Sequence, residues 1–138
     1  MQWTLEVVVV PVSDVDLAKE FYEKRMGFVV DHDSDFGPQL RIVQLTPPGS
    51  GCSIVIGKGV GDEMAPGSIK GLQLVVNDVR AARDELAGRG VEIGEVKVAG
   101  PGGFRPAKAD DDLNNQGFAF FADPDGNGWA VQQITARS

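Results

Sequence analysis

Apolar and polar positions follow two periods along this chain. Leu5–Val10 is a mostly β-branched apolar run closed by Pro11, which predicts a buried strand. Ser13 or Asp14 then opens a helix. Ser13 with Asp16 three positions on fits a capping box, and the acids suit the positive end of the helix dipole. Leu17, Ala18, Phe21 and Tyr22 fall on one face at helical spacing, and Gly27 after Met26 supplies a C-terminal stop. Phe28–Asp31, Leu40–Leu45 and Ser53–Ile56 read as three strands, with turns at Asp33–Pro38 and Thr46–Gly51.

Gly57–Ile69 carries Gly, Pro and Ser without a clear period and reads as a connector. The order then restarts. Leu72–Val76 is a strand, and Asn77 or Asp78 caps a helix. Val79, Ala82 and Leu86 mark the buried face of that helix, and Gly88 and Gly90 end it. Val91–Val98 is a strand, and Ala99–Gln116 a long loop. Gly117–Ala122 and Gly128–Ile134 are the last strands, joined by Asp123-Pro124-Asp125-Gly126-Asn127, where Asp-Gly between apolar runs is a turn signal.

Val12-Ser13-Asp14-Val15-Asp16-Leu17-Ala18-Lys19 matches Val76-Asn77-Asp78-Val79-Arg80-Ala81-Ala82-Arg83. Each copy follows an apolar strand and opens a helix. This predicts an internal duplication within one domain, with repeats at roughly 1–60 and 70–138.

Composition narrows the chemistry. The 138 residues suffice for one domain. A single cysteine, Cys52, excludes an internal disulfide framework, and with a single histidine, His32, it excludes the common zinc sites within one chain. Cys52 reads as a small buried residue. The formal charge of −7 disfavours a nucleic-acid partner. The start of the chain lacks the basic region of a secretory signal, and no apolar segment is long enough to span a bilayer. The expectation is a cytoplasmic protein with no membrane partner.

Ordered motifs then carry a resemblance. They are Val9-Val10-Pro11-Val12-Ser13-Asp14-Val15-Asp16, Phe21-Tyr22, Met26-Gly27-Phe28, Leu72-Gln73-Leu74-Val75-Val76-Asn77-Asp78-Val79, Gly88-Arg89-Gly90-Val91 and Phe120-Phe121-Ala122-Asp123-Pro124-Asp125-Gly126-Asn127. In order and spacing the chain resembles the vicinal oxygen chelate superfamily of glyoxalase I, bleomycin-resistance proteins and extradiol dioxygenases. The resemblance implies an α+β fold of two βαβββ modules, a curled mixed sheet around a cavity, and a homodimer. It also implies where a divalent metal would be held. The usual histidines, seven positions before the aspartate that opens each helix, correspond to Val7 and Gly71. The usual glutamate after the Asp-Pro-Asp-Gly-Asn turn corresponds to Ala130, and the fourth-strand position to Ser53 or Val55. None is a good ligand, so no metal or other cofactor is expected.

Strand alternation gives a cavity lining instead. If Val7 faces inward, so do Trp3, Leu5 and Val9, while Gln73 and Gln132 turn inward beside Gly71 and Ala130. The two amides then either meet a ligand or bond each other and the backbone. Phe104 and Arg105 in the long loop are lid candidates, beside the alternative of plain disorder there. Candidate ligand-binding residues are thus Trp3, Val7, Val9, Gln73, Gln132, Phe104 and Arg105. Trp129 has the opposite parity to Gln132 and is expected under a helix. Asp31-His32-Asp33-Ser34-Asp35 lacks the glycine and terminal glutamate of a calcium loop and reads as a solvated turn with His32 at a hairpin end. Asp110–Asp112 reads as an acidic loop tip. The leading expectation is binding of a small organic molecule without the usual metal. The alternatives are a lyase, isomerase or dioxygenase with a non-standard metal site built on Glu6 and His32 with waters or groups from a second chain, and a non-catalytic interaction module.

Overall fold

A computed structural model describes residues 1–61 and 63–135. The connector's Asp62 and the last three positions of the second repeat lie outside the described residues. The chain divides into two compact units: Met1–Ile69 with Asp123–Asn127, and Lys70–Ala122 with Gly128–Ser138. The fold is α+β, with one mixed, unclosed sheet in each unit.

The first unit runs β1 (Val7–Val9), α1 (Val15–Glu20), a π-helical turn (Phe21–Arg25), β2 (Val29–Asp35), β3 (Arg41–Thr46) and β4 (Ser53–Lys58). Its sheet order is β1-β4-β3-β2, with β1 parallel to β4 and the other pairs antiparallel. Val43 pairs with Ile56 and Leu45 with Ile54, so these four share one face. All four are buried, together with Ala18 and Tyr22 of the helical segment. Each such aliphatic side chain contributes roughly 1.5–3 kcal/mol by leaving water.

Asp14 is the helix cap: its carboxylate accepts from the Leu17 N–H at 3.0 Å. The Ser13–Asp16 capping box does not form. The Ser13 hydroxyl donates to Asp125 at 2.6 Å and its N–H to the same carboxylate at 3.0 Å. Gly27, at φ +76°, ends the helical segment as expected, and the Phe28 N–H reaches back to the Tyr22 carbonyl. Leu17 is exposed, because the buried stripe of this six-residue helix centres on Ala18 and continues at Tyr22. The acidic run is not a turn. Asp31 to Asp35 belong to β2, and the turn lies beyond them at Phe36–Leu40. Pairing with β3 outweighs the low strand propensity of aspartate.

The second unit runs β5 (Leu72–Val76), α2 (Val79–Gly88), β6 (Lys97–Gly100), β7 (Gly103–Pro106), β8 (Gly117–Ala122) and β9 (Gly128–Gln133). Its sheet order is β5-β9-β8-β6-β7, again with the first strand parallel to the last. Asp78 caps α2 by accepting from the Ala81 N–H at 3.0 Å, and Gln133 Oε1 accepts from the Val79 N–H at 3.1 Å. α2 packs on β8 and β9. Trp129 is buried and stacks on Phe121, with centroids 5.9 Å apart.

Two expectations change in this unit. Val91–Val98 is not one strand: Ile93 makes a single bridge to Phe121, and pairing resumes only at Lys97. Gly94 falls between them and weakens the strand. The expected loop Ala99–Gln116 holds a hairpin instead. β6 turns at Gly103, with φ +101°, into β7.

Candidate functional site

Register defines the face of each sheet that carries chemistry. In the second unit Gln73 stands opposite Ala130, Val75 opposite Gln132, Phe118 opposite Gln132 and Phe120 opposite Ala130. Ala99 stands opposite Phe104. Gln73, Val75, Ala130, Gln132, Phe118, Phe120 and Phe104 therefore share the face turned away from Trp129 and α2.

An aromatic cluster dominates this face. Phe118 and Phe120 lie parallel, with centroids 6.1 Å apart and an interplanar angle of 6°. Phe104 sets its ring edge-on to both, at 5.4 Å and 5.2 Å. Such geometry suits the ring quadrupoles. Yet Phe104 is 51% exposed and Phe120 38% exposed. An apolar cluster left in water is informative where a scattered exposed side chain is not.

The two amides lie beside it. Gln73 Nε2 donates to Gln132 Oε1, and Gln132 Nε2 donates to the Asn115 carbonyl at 2.8 Å. The pair is thus mutually bonded, one of the two arrangements expected. Gln132 is bonded at both its oxygen and its nitrogen, whereas the Gln73 carbonyl oxygen has no partner among the described residues and can accept from a ligand. Asn115, at φ +68°, is placed by its N–H bond to the Gln133 carbonyl at 2.8 Å.

Arg105 turns away from this cluster. Its guanidinium forms a two-pronged ion pair with Asp111, both contacts 2.8 Å, and the Lys108 N–H donates to Asp111 at 2.6 Å. These bonds hold the Asp111 carboxyl well below the ordinary carboxylate range, the Arg105 hydrogen bonds being the main cause. Arg105 therefore pins the acidic segment, and that segment is not a free loop tip.

In the first unit Val7 stands opposite Ser53 and Val9 opposite Val55, so these share the face away from α1. Val9 also lines a cavity of about 560 Å³ with Val12, Gly57, Val60 and Met64, within the size range of small-molecule pockets. Trp3 precedes β1 and is 88% exposed, as Leu5 largely is. Cys52 is free and half-buried just before β4.

The positions where the resemblance places metal ligands do not fit a metal. Val7, Val55 and Ala130 have hydrocarbon side chains and Gly71 has none. Among the described residues no group of three or more His, Cys, Asp or Glu is placed to hold an ion. His32 is exposed on β2, opposite Gln44. Among the described residues no helix is long and apolar enough to cross a membrane.

Phe118, Phe120, Val75 and Asn115 were not among the sequence candidates. The signal for the phenylalanines was present: in Phe118-Ala119-Phe120-Phe121 the first and third residues share one face.

A model of the Glyoxalase/Bleomycin resistance protein/Dioxygenase superfamily matches residues 4–131. Among solved structures, TnmS3, an antibiotic binding protein from Streptomyces sp. CB03234, is 32% identical. The match covers 96% of this chain and 97% of that one, with a TM-score of 0.73. A glyoxalase/bleomycin resistance protein from the same strain is 33% identical over 94% of this chain and 100% of that one, with a TM-score of 0.70. A superfamily member from Sphaerobacter thermophilus DSM 20745 is 27% identical over 96% and 98% of the two chains, with a TM-score of 0.74. No curated protein matches the chain.

Proposed function

The chain belongs to the Glyoxalase/Bleomycin resistance protein/Dioxygenase superfamily, and from that premise we propose that it binds and sequesters a small, partly apolar organic molecule without using the superfamily's usual metal ligands. The cluster of exposed Phe104 and Phe120 with half-buried Phe118 carries this reading. A flat apolar ligand covering it removes hydrocarbon from water and meets ring faces and edges. The Gln73 carbonyl beside it supplies a directional acceptor, which fixes orientation. A similar protein that binds an antibiotic supports the same class of ligand. Cytoplasmic location and a homodimer complete the reading, with exposed Trp3 and Leu5 as surface for a second subunit to cover.

The test is a thermal-shift screen of planar aromatic and antibiotic-like compounds against the full chain, alongside metal analysis of untagged protein. Stabilisation by some compounds that shrinks in Phe120→Ala is the expected result. A screen with no stabiliser, or hits indifferent to Phe104, Phe118 and Phe120, sinks the assignment. Stoichiometric bound metal sinks the metal-free part.

A further inference from the structure

The first sheet carries a second, chemically different surface on its face away from α1. Register places Val7 and Val9, Ser53 and Val55, Gln44 and Thr46, and Val29 and His32 on this face. Toward β1 it is apolar. Toward β2 it becomes a hydrogen-bonded row. Thr46 Oγ1 donates to the Asp31 carboxylate, and Thr46 and Ser53 hydroxyls lie 2.6 Å apart. A threonine has one hydroxyl proton, and Asp31 takes it, so Ser53 must donate to Thr46. Both protons of the row are thereby used inward. What it offers outward is acceptor capacity: the second carboxylate oxygen of Asp31, which has no partner among the described residues, and the lone pairs of the hydroxyls.

The backbone presents this carboxylate deliberately. Pairing between β2 and β3 shifts register between Val30 and His32, leaving Asp31 as the extra residue of a β-bulge. Bulges re-aim side chains and cluster near functional sites. The arginine and lysine of these strands lie on the other side: Arg41 and Lys58 pair with each other and so share the opposite face with Val43 and Ile56, leaving His32 as the neighbouring titratable group on the Asp31 face. On that opposite face Arg41 is committed to Asp16 at 2.7 Å and Asp33 at 2.9 Å, and Lys19 of α1 also reaches Asp33 at 3.0 Å. Ser53, only 7% exposed, holds the inner end of the row in place.

We propose that this surface binds an organic cation, a primary ammonium on an apolar stem, with the ammonium on Asp31 and the stem along Val7 and Val9. An ammonium has three donors and no acceptor, the complement of an all-acceptor row. Val9 also borders the 560 Å³ cavity, which gives the stem apolar wall to cover. The assignment does not rest on the aromatic face of the second unit.

The test is titration of isotope-labelled full-length protein with phenylbutylamine, phenylbutanol and phenylbutanoate, followed by amide NMR shifts. The amine should move the amides of Asp31, Thr46 and Ser53, and the carboxylate should not. Asp31→Asn keeps the shape and an acceptor for Thr46, and should weaken the amine about tenfold while leaving the alcohol unchanged, the scale of losing a charge-assisted hydrogen bond. Thr46→Val should weaken the amine less, by releasing the carboxylate. An amine that leaves these amides unmoved, an alcohol that binds as tightly, or an Asp31→Asn protein that keeps its amine affinity overturns the proposal. Shifts confined to the second unit would instead support the aromatic reading alone.

Discussion

The two units share a backbone plan and differ in what they display. Each begins with a strand that pairs parallel to its last strand. Each helix is capped by an aspartate at 3.0 Å from the N–H three residues on, Asp14 to Leu17 and Asp78 to Ala81. The faces away from the helices diverge. The first presents valines and an acceptor row ending in Asp31; the second presents three phenylalanines and an amide pair. The helix-facing side is constrained by packing at near-crystalline density. The opposite side carries no such packing constraint, so the proposed function rests on what it displays and not on the fold.

The units also differ in how they are held, and breaking that difference has the largest expected effect. The Asp123–Asn127 turn is grouped with the first unit and buries Asp123 and Asn127. Asp123 accepts from the Tyr22 hydroxyl at 2.7 Å, the Asn127 amide at 2.7 Å and the Asn127 N–H at 2.9 Å. Asn127 also donates to the Pro11 carbonyl at 2.8 Å. Asp123→Ala strands several buried donors, so chemical denaturation should show a loss of more than about 3 kcal/mol. Tyr22→Phe removes one partner from a carboxylate that keeps the others, and about 1.5–3 kcal/mol is expected. A loss below about 0.5 kcal/mol in both would mean that packing, not this clasp, holds the unit.

The next effect is on binding. Phe120→Ala and Phe104→Ala should weaken any aromatic ligand found by screening about tenfold each, the scale of one well-placed aromatic contact plus its buried area. Because both side chains are substantially exposed, the melting temperature of the free protein should barely move. A large drop in melting temperature without ligand would make the cluster a structural patch.

Legibility from sequence followed the range of the interactions. Local signals were readable: the aspartate caps, Gly27 and the Asp-Gly turn act within a few residues. Non-local pairing was not. β2 extends through Asp33 and Asp35 because β3 supplies partners, which an aspartate-rich segment does not announce. β7 has four exposed residues, including Pro106, and no alternation to mark it. The candidate face was partly legible. Parity along β5 and β9 puts Gln73 and Gln132 on one face, as the register does, and the same parity on β8 puts Phe118 and Phe120 beside them. Asp31 was hidden because a bulge breaks the alternation that such reasoning needs.

Arg105 sharpens the contrast between unit edges. Removing it by Arg105→Ala leaves the Asp111 carboxylate bonded only to the Lys108 N–H, with the Asp111 N–H still on the Lys108 carbonyl. Amide exchange should rise across residues 107–112 and stay unchanged in β8 and β9. Unchanged exchange in the segment would show that the hairpin backbone alone holds it.

The smallest effect is electrostatic and belongs to the first unit. Asp33 is bonded by Arg41 and Lys19, and its pKa falls from 3.8 to about 2, the Arg41 hydrogen bond being the largest cause. Arg41 is correspondingly raised, first by Asp33 and then by Asp16. A carboxyl with a depressed folded pKa stabilises the fold above its unfolded value and loses that contribution as pH falls toward the folded one. Acid should therefore weaken the first unit between the two values, and Asp33→Asn should flatten that part of the profile. The pair is solvent-accessible, so screening holds the contribution below about 1 kcal/mol. High salt should shrink it further. An Asp33→Asn profile parallel to the parent's through that window would show that the ion pairs orient α1 on the sheet without stabilising it.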